Sequence, residues 1–161
     1  MILRQNGVKV ECLIAGNGPM EKELKKLVGR MNLEGCVRFL GRLPHERLQA
    51  LYETRSIDIV ALPSIITRSG EKEGIPVALM EAMSYGIPTI STNTGGIQEL
   101  LGGGCGIMVE EKNPLAIANA IAQLANNKIF YESIADKGKE KVQQEFNLSI
   151  ISKKLLQLFG T

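Results

Sequence analysis

Two glutamates at a regular spacing are the residues of this sequence best suited to do chemistry. Glu73 and Glu81 flank the apolar segment "GIPVALM". An unpaired carboxylate is costly to remove from water, so a segment that only packed a core would have little use for them. A carboxylate does accept hydrogen bonds from the paired hydroxyl groups of a sugar. The sequence also leaves open that Glu73 is a solvated loop acid and Glu81 a surface acid of a helix.

Pro76 predicts where a helix begins between these two acids. Proline has no backbone N–H and a preset φ, which suits the first turn of a helix, so the helix is expected to start at Pro76 or Val77. The N–H groups of Val77 and Ala78 then have no acceptor inside the helix. Together with the helix dipole, they favour a phosphate.

The order of the groups along the chain indicates the kind of ligand. Glu73 precedes the helix beside Gly74, whose missing side chain lets the backbone come close to a ligand. A carboxylate at Glu73 repels phosphate but suits sugar hydroxyls. Glu81 lies one turn into the helix, where it suits the hydroxyls of a ribose. Sugar, phosphate and ribose in this order make up a nucleotide sugar.

Weaker candidates lie elsewhere in the sequence. Gly16 and Gly18 belong to "AGNGP", a turn of the kind that brings a phosphate to a helix N-terminus. The pattern is neither a full GxGxxG nor a Walker motif, so a plain tight turn is the favoured interpretation. Arg38 can stack on a base or contact a phosphate, with a solvated charge as the alternative. The turn in "TNTGGIQEL" is a further candidate for part of a phosphate site.

Strands alternate with helices along the chain and would position these residues. The predicted strands are "VKVECLIAG" (residues 8–16, expected to be buried), "CVRFLG", "IDIVALP", "PTIST" and "CGIMVE", and helical patterns lie between them. The alternation predicts an α/β, Rossmann-like parallel β-sheet with helices on both faces. Ligands of such sheets bind beyond the carboxyl ends of the strands. The polar segment 64–73, with Arg68 and Lys72, is expected to be an exposed loop there.

Composition restricts the classes of function. A chain of 161 residues suits one domain, and its net charge of +2 is too small to favour nucleic acid or an anionic membrane. No apolar run is long enough for a bilayer span, and there is no signal-peptide pattern. The three cysteines form no CxxC or Cys/His cluster, which argues against zinc. Their odd number favours a reducing compartment, and we expect the cytoplasm.

Four ordered stretches resemble a known family. "CLIAGNGP", "VRFLG", "DIVALPS" and "EGIPVALMEAMSYGIPTISTNTGGIQEL" resemble the C-terminal domain of family 4 glycosyltransferases, which are retaining enzymes of the GT-B fold. Glu73 and Glu81 match that family's E-x7-E motif. The resemblance covers about residues 8–126. It implies the C-terminal half of a GT-B fold and a hexosyltransferase that moves a sugar from a UDP-sugar to a saccharide or lipid-linked acceptor, as in polysaccharide biosynthesis.

The resemblance also implies roles for the candidates. Glu73 would orient the donor sugar and support the cationic transition state, which makes it the expected catalytic residue. No metal or other cofactor is expected, because the helix dipole and basic side chains stabilise the leaving diphosphate in such enzymes. Arg38 would meet the base, largely through backbone. The residues expected to bind the donor are Gly16, Gly18, Arg38, Gly74, Ile75, Val77, Ala78 and Glu81.

The resemblance further implies a longer protein. Family members have two Rossmann-like domains, and the acceptor site lies mostly in the N-terminal one. They also carry an Arg and a Lys at positions that would precede Met1. "MILRQNG" is typical of a last helical turn followed by a glycine stop. We therefore expect residues 1–161 to be a single donor-binding domain that lacks its first strand and helix and the N-terminal acceptor domain. Isolated, it is expected to be inactive, and any peripheral membrane association is expected only through the missing regions.

Two other interpretations are weighed beside this one. The first is a non-catalytic nucleotide-binding or regulatory Rossmann-like module. The second is a nucleotide-sugar epimerase of GT-B type, which would use several carboxylates and a histidine. His45 is the only histidine of the sequence and lies beside Pro44 in a predicted first helical turn, which argues against an epimerase.

Overall fold

The structure is a computed structural model that describes residues 2–5, 7–67 and 69–160. The chain divides into two compact units, Met1–Thr54 and Arg55–Thr161, which are described here one at a time. Arg68, expected in an exposed loop, lies outside the described residues. The organisation of residues 1–161 as a single domain stays a prediction.

The unit Met1–Thr54 contains a two-stranded parallel sheet. Its elements are α1 (Ile2–Gln5), β1 (Cys12–Ala15), α2 (Glu21–Arg30), β2 (Val37–Gly41) and α3 (His45–Glu53). The predicted buried strand over residues 8–16 is wrong in extent and in burial, because β1 is shorter and both of its end residues are exposed. The reason is that β2 is the only strand that pairs with β1 within the described residues.

The unit Arg55–Thr161 contains a three-stranded parallel sheet. Its strands are β3 (Val60–Leu62), β4 (Thr89–Thr92) and β5 (Ile107–Val109), and they lie in the order β3-β4-β5. Its helices are α4 (Val77–Ser84), α5 (Ile97–Leu101), α6 (Pro114–Asn126), α7 (Lys128–Glu145) and α8 (Leu148–Leu158), and a 3₁₀ turn covers Gly102–Gly104. In each pair of neighbouring strands, the carboxyl ends meet at the same edge of the sheet.

Two apolar clusters lie on the two faces of this sheet. The first joins α4 and α5 through Leu79, Met83, Ile97, Leu100 and Leu101, and Val60 of β3 packs against it. The second joins β4 to α6 and α7 through Ile90, Ala120, Leu124 and Ile134, and Ile59 packs against it. Val60 of β3 pairs with Thr89 of β4, and Ile90 is the next residue of β4. Paired residues share a face and successive residues of a strand alternate, so Val60 and Ile90 place the two clusters on opposite faces. The predicted parallel sheet with helices on both faces is confirmed.

Helix α4 is fixed to the sheet by its apolar side. Leu79, Ala82 and Met83 are each at most 1% exposed. Burial of a Leu or Met side chain contributes about 1.5–3 kcal/mol relative to leaving it in water. The helix that carries the candidate phosphate and ribose groups is therefore held rigidly by its own core face.

Candidate functional site

The loop that carries Glu73 leads directly into α4. It covers residues 63–76, between the end of β3 and the start of the helix. Glu73 and Gly74 are exposed, whereas Ile75 is half-buried against the first apolar cluster. Pro76 is buried and extended, with ψ 120°, and the helix begins at Val77. The start predicted from Pro76 is confirmed.

The N-terminus of α4 is open. The carbonyl of Pro76 accepts hydrogen bonds from the N–H groups of Leu79, at 3.1 Å, and of Met80, at 3.3 Å. The N–H groups of Val77 and Ala78 have no acceptor among the described residues, and no side chain caps the helix. Val77 is 61% exposed, and the first turn contains no acid. Two free donors at the positive end of a helix dipole are suited to an anion.

The two glutamates lie on either side of this open N-terminus along the chain. Glu73 is exposed, and its carboxylate has no hydrogen-bond or ionic partner within the described residues. Glu81 lies one helical turn beyond Val77 on the same side and is half-buried. Glu73, Gly74, Ile75, Val77, Ala78 and Glu81 thus occupy one continuous loop and helix, and their contacts with a donor stay a prediction.

A turn after β4 contacts the Glu73 loop directly. The N–H of Gly96 lies 3.2 Å from the carbonyl oxygen of Gly74 and 3.4 Å from that of Glu73. Gly95 adopts a positive φ of 55°, which favours glycine. From the sequence this turn was predicted only as a place for a phosphate, and its contact with Glu73 was missed. The two adjacent glycines shortly after β4 were the available signal, since glycine often marks close backbone approach.

The other glycine-rich turn, at Gly16 and Gly18, has different surroundings. Both glycines are exposed, and the N–H of Gly16 donates to the carbonyl of Gly41 at 2.7 Å. The helix that follows, α2, carries Glu21 and Glu23 in its first turn. Carboxylates in that position occupy the positive end of the helix dipole and repel a phosphate. The structure therefore adds no support for a phosphate there, and the donor contact of Gly16 and Gly18 stays a prediction.

Arg38 forms an ion pair on the surface of β2. Its Nε lies 2.5 Å from Oε1 of Glu11, and both side chains are more than half exposed. An exposed pair of this kind contributes about 0–1 kcal/mol, so it is readily broken in favour of a ligand. Arg38 belongs to the unit Met1–Thr54, whereas Glu73 belongs to the other unit, so their joint action on one donor stays a prediction.

Other kinds of chemistry find little basis in the described part of the chain. It contains no group of three or more His, Cys, Asp or Glu side chains able to hold a metal ion. Although the Cys12 residue is exposed as a whole, partial desolvation raises the pKa of its thiol and the nearby Cys36 raises it further, so this thiol is not activated as a nucleophile. Independence of metal stays a prediction. Residues 2–5, 7–67 and 69–160 include no helix with the length and apolar character of a membrane span.

Comparison with known proteins identifies the family of the chain. The model of the family "Glycosyl transferases group 1" matches residues 1–141. WcaL of Salmonella typhimurium, provisionally named a colanic acid biosynthesis glycosyltransferase, is 37% identical over 161 residues, which cover 99% of this chain and 39% of WcaL. The amylovoran biosynthesis glycosyltransferase AmsK of Erwinia amylovora is 34% identical over 158 residues, which cover 98% of this chain and 38% of AmsK. The chain thus spans less than half the length of these relatives.

Solved structures agree with this assignment. Anabaena HepE, solved in complex with UDP-glucose, superposes with a TM-score of 0.78 at 25% identity, over 93% of this chain and 40% of HepE. The C-terminal domain of a Francisella tularensis glycosyl transferase group 1 protein superposes with a TM-score of 0.68 at 19% identity, over 90% of this chain and 91% of that domain. The second likeness concerns the fold alone.

These similarities bear on the expectations from sequence. The GT-B glycosyltransferase fold is confirmed, and so is the expectation that the chain is part of a longer glycosyltransferase. Neither the regulatory module nor the epimerase is favoured by the similarities. The chain belongs to the glycosyl transferases of group 1.

Proposed function

We propose that the chain is the donor-binding domain of a retaining glycosyltransferase. The full-length protein would transfer a hexose from a nucleotide sugar, with UDP-sugar as the expected donor, to a saccharide or lipid-linked acceptor. The acceptor would bind mainly to an N-terminal domain outside this chain. The names of the relatives point to surface polysaccharide biosynthesis. The expected location is the cytoplasm, because the three cysteines are free thiols.

The observation that carries the proposal is the open N-terminus of α4 with a glutamate before it and another one turn into it. The free N–H groups of Val77 and Ala78 would bind the distal phosphate of the donor. Glu81 would accept hydrogen bonds from the ribose hydroxyls. Gly16, Gly18 and Arg38 would contribute further donor contacts from the other unit, with Arg38 near the base.

Glu73 would act at the reacting sugar. In the transfer, the bond between the anomeric carbon and the diphosphate oxygen breaks, and positive charge develops on the sugar ring. A carboxylate at Glu73 would hold the sugar hydroxyls and stabilise that charge, while the backbone of Gly74 and Ile75 faces the same sugar. The acceptor hydroxyl oxygen would form the new bond on the face that the diphosphate leaves, which gives retention, and its proton would pass to the leaving diphosphate oxygen. Titration of the full-length protein with different sugar nucleotides would identify the donor's base and sugar.

The leaving diphosphate would be stabilised by the α4 dipole, its free N–H groups and basic side chains, so we propose that no metal ion is needed. Addition of EDTA to the full-length enzyme is expected to leave turnover unchanged. A loss of activity that Mg²⁺ or Mn²⁺ restores would contradict this part of the proposal.

The Val77→Pro substitution tests the phosphate site by removing a single backbone N–H group. Val77 is the first helical residue, where proline is accepted, and Pro76 has the extended backbone that a residue before proline needs. The Val77→Pro variant therefore loses one N–H donor and little else. A hydrogen bond to a charged group is worth about 1.5–3 kcal/mol, so we expect the affinity for UDP to fall about 10- to 100-fold in calorimetric titration of the full-length protein.

Val77→Ala is the matched control, because it removes the same exposed side chain and keeps the N–H. We expect it to bind UDP nearly as the unaltered protein does. If Val77→Pro keeps its melting temperature and binds UDP as tightly as Val77→Ala, the phosphate does not bind at this helix, and the proposed donor site is wrong.

A further inference from the structure

We propose that the segment Ser91–Gly96, here called the β4 anchor, positions Glu73 by holding both ends of the loop that carries it. The inference rests on the proposed function of Glu73 and deepens it. Gly95 and Gly96 act as positioning residues: they contact the backbone of the Glu73 loop, and we assign them no contact with the donor.

Gly95 is shaped to the backbone of Glu73. A Cβ atom added at Gly95 would lie 1.7 Å from the carbonyl oxygen of Glu73 and 2.9 Å from its carbonyl carbon. Both distances are below the 3.0 Å that real Cβ contacts respect, and the first is far below it, so any side chain at Gly95 must displace one of the two backbones. Gly95 also has a φ of +55°, which other residues adopt at a cost. The backbone position of Glu73 is thus defined by the absence of a side chain at Gly95.

Gly96 fixes the next two residues of the loop. Its N–H lies within hydrogen-bonding range of the Gly74 carbonyl, and an added Cβ would lie 3.0 Å from that carbonyl and 2.7 Å from Cγ1 of Ile75. Ile75 is itself packed against the first apolar cluster. The residues immediately after Glu73 are therefore held between the β4 anchor and the core.

The first end of the loop is held by the same segment. The hydroxyl of Ser91 donates to the carbonyl of Leu62, and the hydroxyl of Thr92 donates to the carbonyl of Ser64. Both donors are fully buried on β4. One continuous segment thus fixes the loop where it leaves β3 and where it enters α4.

This arrangement explains how an exposed acid on a long loop can hold a defined position. Glu73 has no side-chain partner among the described residues, so its side chain does not fix its place. Small displacements of a group that supports a transition state are costly, and about 1 Å can lower a rate about 10²-fold. The backbone contacts of Gly95 and Gly96 supply the positioning that the side chain lacks.

The test is a double-mutant cycle between Gly95→Ala and Glu73→Gln in the full-length protein. We expect Gly95→Ala to lower kcat about 10²-fold, while the affinity for UDP changes less than about threefold, because UDP has no sugar for Glu73 to hold. In the Glu73→Gln background, Gly95→Ala is expected to lower kcat by less than about threefold more, because the group it displaces is already lost.

Gly103→Ala is the control for backbone strain. Gly103 has a φ of +72°, and a Cβ added there meets nothing within 4 Å, so this variant has the strain without the collision. If Gly95→Ala lowers kcat no more than Gly103→Ala, or if its effect multiplies with that of Glu73→Gln, the inference is wrong. A loss of UDP affinity as large as the loss of kcat would also overturn it, since the turn would then bind the phosphate itself.

The outcomes separate this inference from the proposed function. If Glu73→Gln alone leaves kcat unchanged, the proposed role of Glu73 fails first. If Glu73→Gln lowers kcat and Gly95→Ala does not, only the anchor fails. Should Gly95→Ala not fold, Gly96→Ala takes its place in the same cycle, because its closest added contact is 2.7 Å, to a side-chain atom of Ile75, rather than 1.7 Å to a backbone oxygen.

Discussion

The N-termini of α2 and α4 both follow loops that contain glycine, and they differ in their charges. Helix α2 follows the exposed turn of Gly16 and Gly18 and has Glu21 and Glu23 in its first turn. Helix α4 follows the Glu73 loop and has no acid in its first turn. Both lack a side-chain cap, so free N–H groups alone do not distinguish them.

The difference indicates which feature of a helix N-terminus selects an anion. At α2 the acids already satisfy the dipole, and a glycine-rich turn there needs no ligand to explain it. At α4 the acids stand before the helix and one turn into it, so the N-terminus itself stays positive. The approaches differ as well, because the α4 loop is held by the β4 anchor whereas the Gly18 position borders open space.

The largest expected effect is on turnover after substitution of Glu73. Glu73→Gln keeps the shape of the side chain and removes its charge, so it removes stabilisation of a cationic transition state. We expect kcat of the full-length protein to fall about 10²–10³-fold, the range seen when one transition-state contact is removed. Steady-state kinetics with a UDP-sugar donor measures it.

Glu23→Gln on α2 is the matched control for this change, and Glu71→Gln is a second control within the loop, where Glu71 accepts hydrogen bonds from Thr67 and Ser69. Both are expected to stay within about twofold of the unaltered kcat, because surface substitutions rarely have large effects. A kcat for Glu73→Gln equal to that of either control would remove Glu73 from the mechanism.

A smaller effect is expected from Glu81. Glu81→Ala removes the proposed acceptor for the ribose hydroxyls, and we expect the affinity for UDP to fall about 10- to 100-fold. Titration with 2′,3′-dideoxy-UDP distinguishes this role from a general loss of structure. The variant and the unaltered protein should bind that analogue equally, because neither can bond hydroxyls that are absent.

Glu99→Ala is the control for Glu81→Ala, because it removes an exposed acid from the first turn of another helix, the short α5. We expect it to bind UDP as the unaltered protein does. Equal losses of affinity for UDP and for the dideoxy analogue in Glu81→Ala would show that Glu81 does not act through the ribose.

The smallest effect is expected at the α2 turn. A Cβ added at Gly18 meets nothing within 4 Å, and Gly18 has no positive φ, so Gly18→Ala leaves the backbone as it is. We expect UDP affinity to fall by no more than about threefold, since alanine keeps the backbone through which Gly18 would contact the donor and the acids of α2 disfavour a phosphate there. If this loss matches that of Val77→Pro, the distinction between the two N-termini is wrong.

Much of the α4 region was predictable because its signals are local. Pro76 correctly predicted where the helix begins, and Leu79, Ala82 and Met83 recur at the helical spacing that is typical of the buried side they form. The signals of α6 are local as well, because Asn113 directly precedes Pro114 and caps the helix by accepting from the N–H of Ala116 at 2.9 Å. Proline geometry, helical spacing and capping each depend on a few neighbouring residues.

What could not be predicted depends on distant contacts. Nothing near Gly95 in sequence says that Glu73 will lie against it, because the two meet only when the loop returns beside β4. The prediction that β1 is buried was wrong for a similar reason. An apolar strand is buried only where neighbouring elements cover it, and its apolar residues alone do not predict how many strands its sheet has. The contact between the β4 anchor and the Glu73 loop is therefore visible only in the folded structure.

The anchoring of the Glu73 loop at both ends has a consequence for how such proteins diversify. Between the contacts of Ser64 and those of Glu73, the chain makes its own exposed turn, in which the N–H of Thr67 donates to the carbonyl of Glu71 at 2.9 Å. Exposed loop tips tolerate insertion and exchange far better than the elements that hold them. Residues 69–72 can therefore be lengthened, shortened or recoded while the acid stays in register with the helix, whereas Ile66 is held from outside the loop because its N–H donates to Oε2 of Glu111 at 3.0 Å. For protein engineering, this stretch is a segment that can be exchanged while the β4 anchor and α4 stay unchanged.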